Sequence, residues 1–210
     1  DFGSIVCFQR TVSCFGSIYY FHCACRLLFV HLVAQIPNPK VVIRIAFTGP
    51  ESSGKSALAE SVATFTEGVY IEEFARTYLN KKGPEYDVDD LDVMAKGHLK
   101  AIQNTSEELQ LIDTDFIVFK IWSEYKYDAA SPLIHRLVSE NWFDLHILCA
   151  PDIPWEPDDL RENPEDREAL FLRYVEALEK LRKPYLIVEG AHDKRLKKVV
   201  EAIKQLQRIS

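Results

Sequence analysis

The sequence predicts a three-layer α/β domain whose central sheet has five parallel strands. Short apolar runs alternate along the chain with longer amphipathic segments, which is typical of strand–helix–strand units around a parallel sheet. Of the 210 residues, 47% are hydrophobic and 27% are charged, so the chain can form a substantial core. This composition excludes wholesale disorder.

The predicted strands are apolar runs, most of them rich in Val, Ile and Leu, at residues 41–47, 69–71, 109–112, 145–149 and 185–188. The predicted helices are the longer segments at residues 55–65, 74–81, 89–103, 116–127, 132–140, 165–182 and 194–207. In the helix predicted at 165–182, Leu170, Tyr174 and Leu178 recur at helical spacing. A polar, proline-rich stretch at 151–164 interrupts the alternation, and its length indicates a lid loop.

Residues 1–40 differ in composition from the rest of the chain. They contain only four charged residues but four of the five cysteines, Cys7, Cys14, Cys23 and Cys25. An apolar run at 18–36 contains Arg26, whose charge would cost about 2.5–3.5 kcal/mol at the centre of a membrane. We therefore predict an extension outside the fold rather than a membrane anchor or an export signal. The domain is expected to occupy residues 41–210 and to act in the cytoplasm.

The charge balance limits the class of ligand. The chain has 25 Lys and Arg against 32 Asp and Glu, a net charge of −7. This balance argues against a protein that binds nucleic acid or anionic lipid through bulk charge. A local cluster can still bind a compact anion, so we expect small-molecule ligands and neither a nucleic acid nor a membrane as partner.

Residues 49–56 read Gly-Pro-Glu-Ser-Ser-Gly-Lys-Ser, which matches the phosphate-binding pattern G-x-x-x-x-G-K-[ST] between a predicted strand and a predicted helix. The glycines let backbone N–H groups turn toward phosphates, and the following helix adds the positive end of its dipole. Lys55 is predicted to contact the β- and γ-phosphates of ATP during catalysis, and Ser56 to bind Mg²⁺. The predicted nucleotide-binding residues are Gly49, Glu51, Ser52, Ser53, Gly54, Lys55 and Ser56.

Two acids, Asp113 and Asp115, stand where the third predicted strand ends. Ligands of open parallel sheets bind at the carboxyl ends of strands, and a P-loop protein needs an acid near its Mg²⁺. Asp113 is predicted to belong to the metal site. Asp115 is predicted to bind metal or a substrate hydroxyl and to act in catalysis. The alternative is that one of them caps the helix that starts at residue 116.

Glu73 and Arg76 follow the second predicted strand, where an acceptor would approach the phosphates. Glu73 is predicted to bind substrate and to accept or orient the proton of an attacking hydroxyl. Arg76 is predicted to hold a phosphate or another polar substrate group. The alternative is an acidic first helical turn with a solvated arginine beside it.

The loop after the fourth predicted strand and the helix start that follows it carry Trp155, Arg161 and Arg167. Two arginines on a closing lid would offset the charge that develops during phosphoryl transfer, so both are predicted to be catalytic. Trp155 is a candidate platform for a flat substrate ring; alternatively it anchors the loop on the core.

The chain contains four characteristic segments, at residues 48–56, 73–76, 113–115 and 151–155, and the last is followed by Arg161. In their residues and their order these segments resemble the ribosylnicotinamide kinase domain of the NadR type. The resemblance extends over nearly all of residues 41–207. The resemblance implies a P-loop, nucleotide-kinase-like fold that uses ATP and Mg²⁺. It also implies phosphorylation of the ribose 5′-hydroxyl of nicotinamide riboside to nicotinamide mononucleotide, a step of NAD biosynthesis.

Two other functions stay open at this point. One is phosphorylation of a different nucleoside or nucleotide. The other is an ATP-binding regulatory module that hydrolyses ATP without an acceptor. The acid and arginine at 73 and 76 and the arginine-bearing loop favour a kinase, because a regulatory ATPase needs no acceptor pocket. The sequence leaves the oligomeric state open.

Overall fold

A parallel sheet lies at the centre of the computed structural model, which describes residues 42–158 and 165–209. Within these residues its strands are β1 (Ile43–Thr48), β2 (Val69–Ile71), β3 (Leu109–Asp113), β4 (Leu145–Cys149) and β5 (Tyr185–Val188). Their order across the sheet is β2-β3-β1-β4-β5, and each neighbouring pair is parallel. All five residues of β3 are buried, as expected for a strand covered on both faces.

The helices of the described residues are α1 (Lys55–Thr66), α2 (Phe74–Lys82), α3 (Val88–Gln103), α4 (Phe116–Tyr127), α5 (Pro132–Ser139), α6 (Arg167–Lys180) and α7 (His192–Ile209). Side-chain caps fix three of the starts. Asp87 forms a capping box at α3, Asp115 caps α4, and Ser131 caps α5. Helix α6 ends two residues before the prediction because Arg182 adopts φ 51°, in the left-handed region.

Two hydrophobic clusters lie on opposite faces of the sheet, which gives the predicted three layers of helices, sheet and helices. Leu111 packs in the cluster that contains residues of α1, whereas its neighbour Ile112 packs in the cluster that contains residues of α2 to α6. Ile147 and Leu148 of β4 divide in the same way. Successive side chains of a strand point to opposite faces, so both faces of the sheet are covered by helices.

The topology places a crevice at the ends of β1 and β3. These two strands are neighbours, and Phe47 pairs with Asp113 at their carboxyl ends. The chain leaves β1 toward β2 on one side and leaves β3 toward β4 on the other. Ligands of open α/β sheets bind at such a point, where the connections from two neighbouring strands run to opposite sides of the sheet. The phosphate-binding motif and the Asp113–Asp115 segment both begin there.

In the described part of the chain, the structure contains no helix both long and apolar enough to span a membrane. The segment 1–40, including the apolar run at 18–36, lies outside the described residues. Its exclusion from the fold stays a prediction.

Candidate active site

The phosphate loop joins β1 to α1 in the conformation that its glycines allow. Gly49 has φ 128°, and a Cβ there would lie 2.7 Å from the backbone oxygen of Cys149. Gly54 has φ 79° and precedes the first residue of α1, Lys55. Only glycine fits the first of these positions without moving the backbone of β4.

Polar side chains of the loop bind back onto it. Ser53 Oγ and Lys55 Nζ both donate to the backbone oxygen of Pro50, each at 2.7 Å. The ammonium group is therefore held against the loop. That this loop binds a nucleotide through these residues stays a prediction.

A cavity of about 270 Å³ is lined by the phosphate loop and also by side chains of other helices and loops. Residues 49–57 line one side, so the structure brings the whole predicted nucleotide-binding set to it. Glu73 and Arg76 line the same cavity. The acceptor-side residues predicted after β2 thus share one space with the phosphate loop.

Glu73 has the electrostatic properties of a group poised to exchange a proton. Removal from water, reinforced by the nearby Asp113 carboxylate, raises its pKa to about 7, against the lowering influence of Lys55 and Arg76. The hydroxyl of Thr114 donates to Glu73 Oε1 at 3.2 Å. A carboxyl group with this pKa is divided between both protonation states at neutral pH.

Asp113 ends β3 with its side chain almost fully buried. Its Oδ2 accepts a hydrogen bond from Tyr70 at 3.0 Å, and burial together with the Asp113 charge raises the pKa of that phenol. Its Oδ1 has no hydrogen-bond partner among the described residues. An orphaned carboxylate oxygen at this strand end fits a Mg²⁺ site, for which oxygen is the preferred ligand.

The structure does not bring Asp115 into the cavity. Its Oδ1 accepts from Thr48 Oγ1 at 3.1 Å and from the Val118 backbone at 3.0 Å, which caps α4. Its Oδ2 lies 2.8 Å from His146 Nδ1, and the Asp115 side chain is fully buried. Both oxygens are therefore committed within the fold. The helix-capping alternative therefore describes this residue in the structure, and its contact with metal or substrate stays a prediction.

Arg76 reaches both the cavity and the loop that follows β4. Its Nη1 is 3.0 Å from an oxygen of Asp158, and both side chains are part-exposed. Exposed pairs of this kind contribute about 0–1 kcal/mol to stability. A substrate group could therefore replace Asp158 at the guanidinium at little cost.

Two of the three residues predicted on the lid, Trp155 and Arg167, lie in the described part of the chain, where they contact each other. Arg167 donates from Nη1 to the backbone oxygens of Ser52, at 3.2 Å, and Ile153, at 2.9 Å. The ring of Trp155 packs 5.7 Å from this guanidinium and does not line the cavity. Arg167 thus ties the phosphate loop to the β4 loop. Arg161 lies outside the described residues.

Sequence reasoning missed the apolar and aromatic wall of the cavity. Helix α4 contributes Val118, Ile121, Trp122 and Tyr125, and α6 contributes Leu170 and Tyr174. The α4 residues recur at a spacing of three and four, so they share one helical face. That periodicity was available in the sequence, but it does not distinguish a cavity wall from a core. Sequence reasoning also missed Arg195, which contacts the phosphate loop from behind.

Sequence comparison relates the chain to a described domain family and to two curated proteins. A family model described as an AAA domain matches residues 44–195. The trifunctional NAD biosynthesis/regulator protein NadR of Salmonella typhimurium is 30% identical over 179 residues, covering 80% of this chain and 44% of that protein. NadR of Escherichia coli gives the same identity and coverage. The chain therefore spans less than half the length of these curated relatives, and the resemblance to NadR expected from the motifs is confirmed.

Solved structures confirm the fold class. A crystal structure of NadR with NAD and AMP-PNP has a TM-score of 0.63 and 20% identity, over 78% of this chain and 49% of that chain. A crystal structure of NadR in complex with NR has a TM-score of 0.60 and 19% identity, over 78% of this chain and 51% of that chain. Thymidylate kinase from Ehrlichia chaffeensis has a TM-score of 0.60 and 13% identity, over 78% of this chain and 99% of that chain. At these identities the likeness establishes the fold alone.

Proposed function

The chain belongs to the AAA-domain family of P-loop proteins, and from this premise we propose that it is an ATP-dependent kinase acting on nicotinamide riboside. The reaction would transfer the γ-phosphoryl group of ATP to the ribose 5′-hydroxyl and give nicotinamide mononucleotide. One observation carries the proposal: Glu73 lies in the same cavity as the phosphate loop, with a pKa raised to about 7.

On the nucleotide side, the loop supplies backbone N–H groups and the ammonium group of Lys55. Phosphoryl transfer leaves little covalent work for a protein, so positioning and charge are the main contributions. Lys55 is held by Pro50 at 2.7 Å and would turn toward the β- and γ-phosphates when ATP enters. The AMP-PNP complex of a NadR protein supports ATP as the donor.

On the acceptor side, Glu73 would accept the proton of the attacking hydroxyl. A general base works best when its pKa lies near the working pH, because it is then both available and basic. The Thr114 hydroxyl holds one carboxylate oxygen, which leaves Oε2 for the substrate. Arg76 would hold a polar group of the acceptor in place of Asp158.

The wall opposite the loop suits a flat ring attached to the ribose. Trp122, Tyr125 and Tyr174 provide aromatic surface, and aliphatic side chains of α4 line the same cavity. Aromatic side chains bind planar rings by stacking or edge contacts. Two observations support nicotinamide riboside as the acceptor. A NadR protein has been crystallised with NR, and the two curated proteins that are 30% identical to this chain are NadR proteins of NAD biosynthesis.

The residues present also fit a bound Mg²⁺. Ser56 lines the cavity, and Asp113 offers an oxygen without a partner among the described residues. No group of three or more His, Cys, Asp or Glu residues able to hold a metal occurs in the described ranges. One acid and one hydroxyl would therefore share the ion with substrate phosphates and water, as Mg²⁺ sites commonly do. When bound, the ion would offset negative charge on the phosphate oxygens.

The test is acceptor-dependent ADP formation. The purified chain is mixed with Mg·ATP, with and without nicotinamide riboside, and ADP release is followed over time. We expect ADP release to rise with acceptor concentration and to saturate. Release at one rate with and without any nucleoside would instead support the regulatory ATPase, and stimulation by a different nucleoside alone would reassign the acceptor.

A further inference from the structure

Arg195, in the first turn of α7, lies behind the phosphate loop with only 3% of its surface exposed. Its Nη1 donates to the backbone oxygen of Ser53 at 2.7 Å, and its Nε donates to that of Gly190 at 2.8 Å. Its Nη2 contacts the backbone oxygen of Ala150, at 3.2 Å, and the carboxylate of Asp152. All three guanidinium nitrogens are engaged.

The four acceptors belong to three separate loops. Ser53 lies in the loop after β1, Ala150 and Asp152 follow β4, and Gly190 follows β5. Asp152 strengthens the junction because its Oδ2 accepts the Gly190 N–H at 2.6 Å. A guanidinium can serve these acceptors together because its donors form a rigid planar fork, which the single ammonium of lysine lacks.

The hydrogen bond to Ser53 fixes the direction of a peptide group in the phosphate loop. The described chain contains no cis peptide, and in a planar trans peptide the C=O and the next N–H point in opposite directions. The Ser53 oxygen points at Arg195, so the Gly54 N–H points away from α7. Gly54 also lines the cavity. Arg167 directs the preceding peptide in the same manner, through the Ser52 oxygen.

We propose that Arg195 is a positioning residue for the nucleotide phosphates. It turns the Gly54 N–H toward the phosphate-binding side of the loop and itself stays outside the cavity. The inference rests on the proposed ATP-dependent reaction and deepens it by assigning part of the phosphate affinity to a side chain that lines no part of the cavity.

The test compares a ligand that is all phosphate with one that has none. Inorganic tripolyphosphate and adenosine are titrated calorimetrically into the unsubstituted chain and into Arg195→Lys. We expect tripolyphosphate affinity to fall about tenfold to hundredfold, the range for one charge-assisted hydrogen bond, with adenosine affinity unchanged within about twofold. The control is Arg136→Lys, an exposed arginine of α5, which should bind both ligands like the unsubstituted chain.

Melting of each variant separates positioning from a general loss of structure. If Arg195→Lys lacks a cooperative transition, Asp152→Asn gives the answer instead, since it weakens the same junction from the acceptor side. Equal losses for both ligands, or no loss for tripolyphosphate, would overturn the inference. Failure of the unsubstituted chain to bind tripolyphosphate would instead overturn the proposed function, and the inference with it.

Discussion

The hydroxyl of Thr114 donates a hydrogen bond to Oε1 of Glu73 over 3.2 Å, from a backbone conformation that few threonines adopt. Thr114 has φ 83°, where a β-branched residue is a genuine outlier. Its N–H donates to Phe47 at 3.0 Å, and its carbonyl oxygen accepts from His98 Nε2 at 3.1 Å. Burial lowers the pKa of His98, which favours the neutral imidazole, and a carbonyl acceptor requires the ring proton on Nε2. Strain of about 1–3 kcal/mol at such a residue persists only when its surroundings hold it.

This contact predicts how Thr114→Val changes the pH dependence of catalysis. The hydroxyl favours the ionised form of Glu73, so its removal raises the pKa of that carboxyl above about 7. A general base must be deprotonated, and the acidic limb of kcat/KM should therefore move to higher pH. Thr114→Ser keeps the hydroxyl and should leave the limb in place. An unchanged limb in the valine variant, or an equal shift in both, would contradict this role.

Glu73 itself should determine the acidic limb of the pH profile of kcat/KM in the unsubstituted chain. Its pKa of about 7 predicts that kcat/KM rises with pH up to about 7 and levels off above it, because protonation below this point removes the base. Glu73→Gln should lower turnover by about 10²–10⁴ and abolish the limb. Glu72→Gln, at the exposed neighbouring acid, is the matched control. Equal turnover in both variants would move the general base elsewhere.

Lys55→Ala should remove transfer while leaving the fold intact. The ammonium group donates to the loop oxygen of Pro50 and Lys55 is only half-buried, so we expect its loss to affect ligand rather than packing. We expect turnover to fall by about 10²–10³ or more, the usual effect of losing one group that stabilises developing charge. Lys100→Ala, on the exposed face of α3, should be fully active. Full activity of a folded Lys55→Ala chain would exclude the phosphate-loop interpretation.

A chain that starts at Val41 should fold and bind ATP. The composition changes at Pro37–Pro39, and the residues from 42 onward that the structure describes contain two hydrophobic clusters. The expected result is a cooperative thermal transition and a nucleotide affinity equal to that of the longer chain. Precipitation or loss of cooperative melting in the shorter chain alone would show that residues 1–40 belong to the fold.

Local signals account for the parts of the structure that the sequence predicts well. Strands β2, β4 and β5 and helix α4 have the predicted bounds, because apolar runs and a capping aspartate are short-range features. The phosphate loop is also local, since eight consecutive residues define it. The predictions for these elements are confirmed.

Contacts between distant residues account for what the sequence did not predict. Arg195 and Ser53 are 142 positions apart, and no spacing rule links them. Asp115 could cap α4 or face a substrate on sequence grounds, and only its contact with His146 shows both oxygens committed inside the fold. The hydrogen bonds of Arg167 to the backbone oxygens of Ser52 and Ile153 likewise join segments that no local pattern links. These contacts form only when the loops at the carboxyl ends of the strands are brought together by the folded sheet.

The most direct test of the central claim is the mass of the product formed from Mg·ATP and an equimolar panel of nucleosides and nucleotides that includes nicotinamide riboside. The account predicts that nicotinamide riboside gains one phosphoryl group faster than every other member, with one ADP formed per product, and that Lys55→Ala and Glu73→Gln lose this signal together. A product mass matching a different phosphorylated acceptor, with nicotinamide riboside unchanged, would contradict the assigned substrate. Hydrolysis of ATP with every acceptor unchanged would contradict the kinase itself.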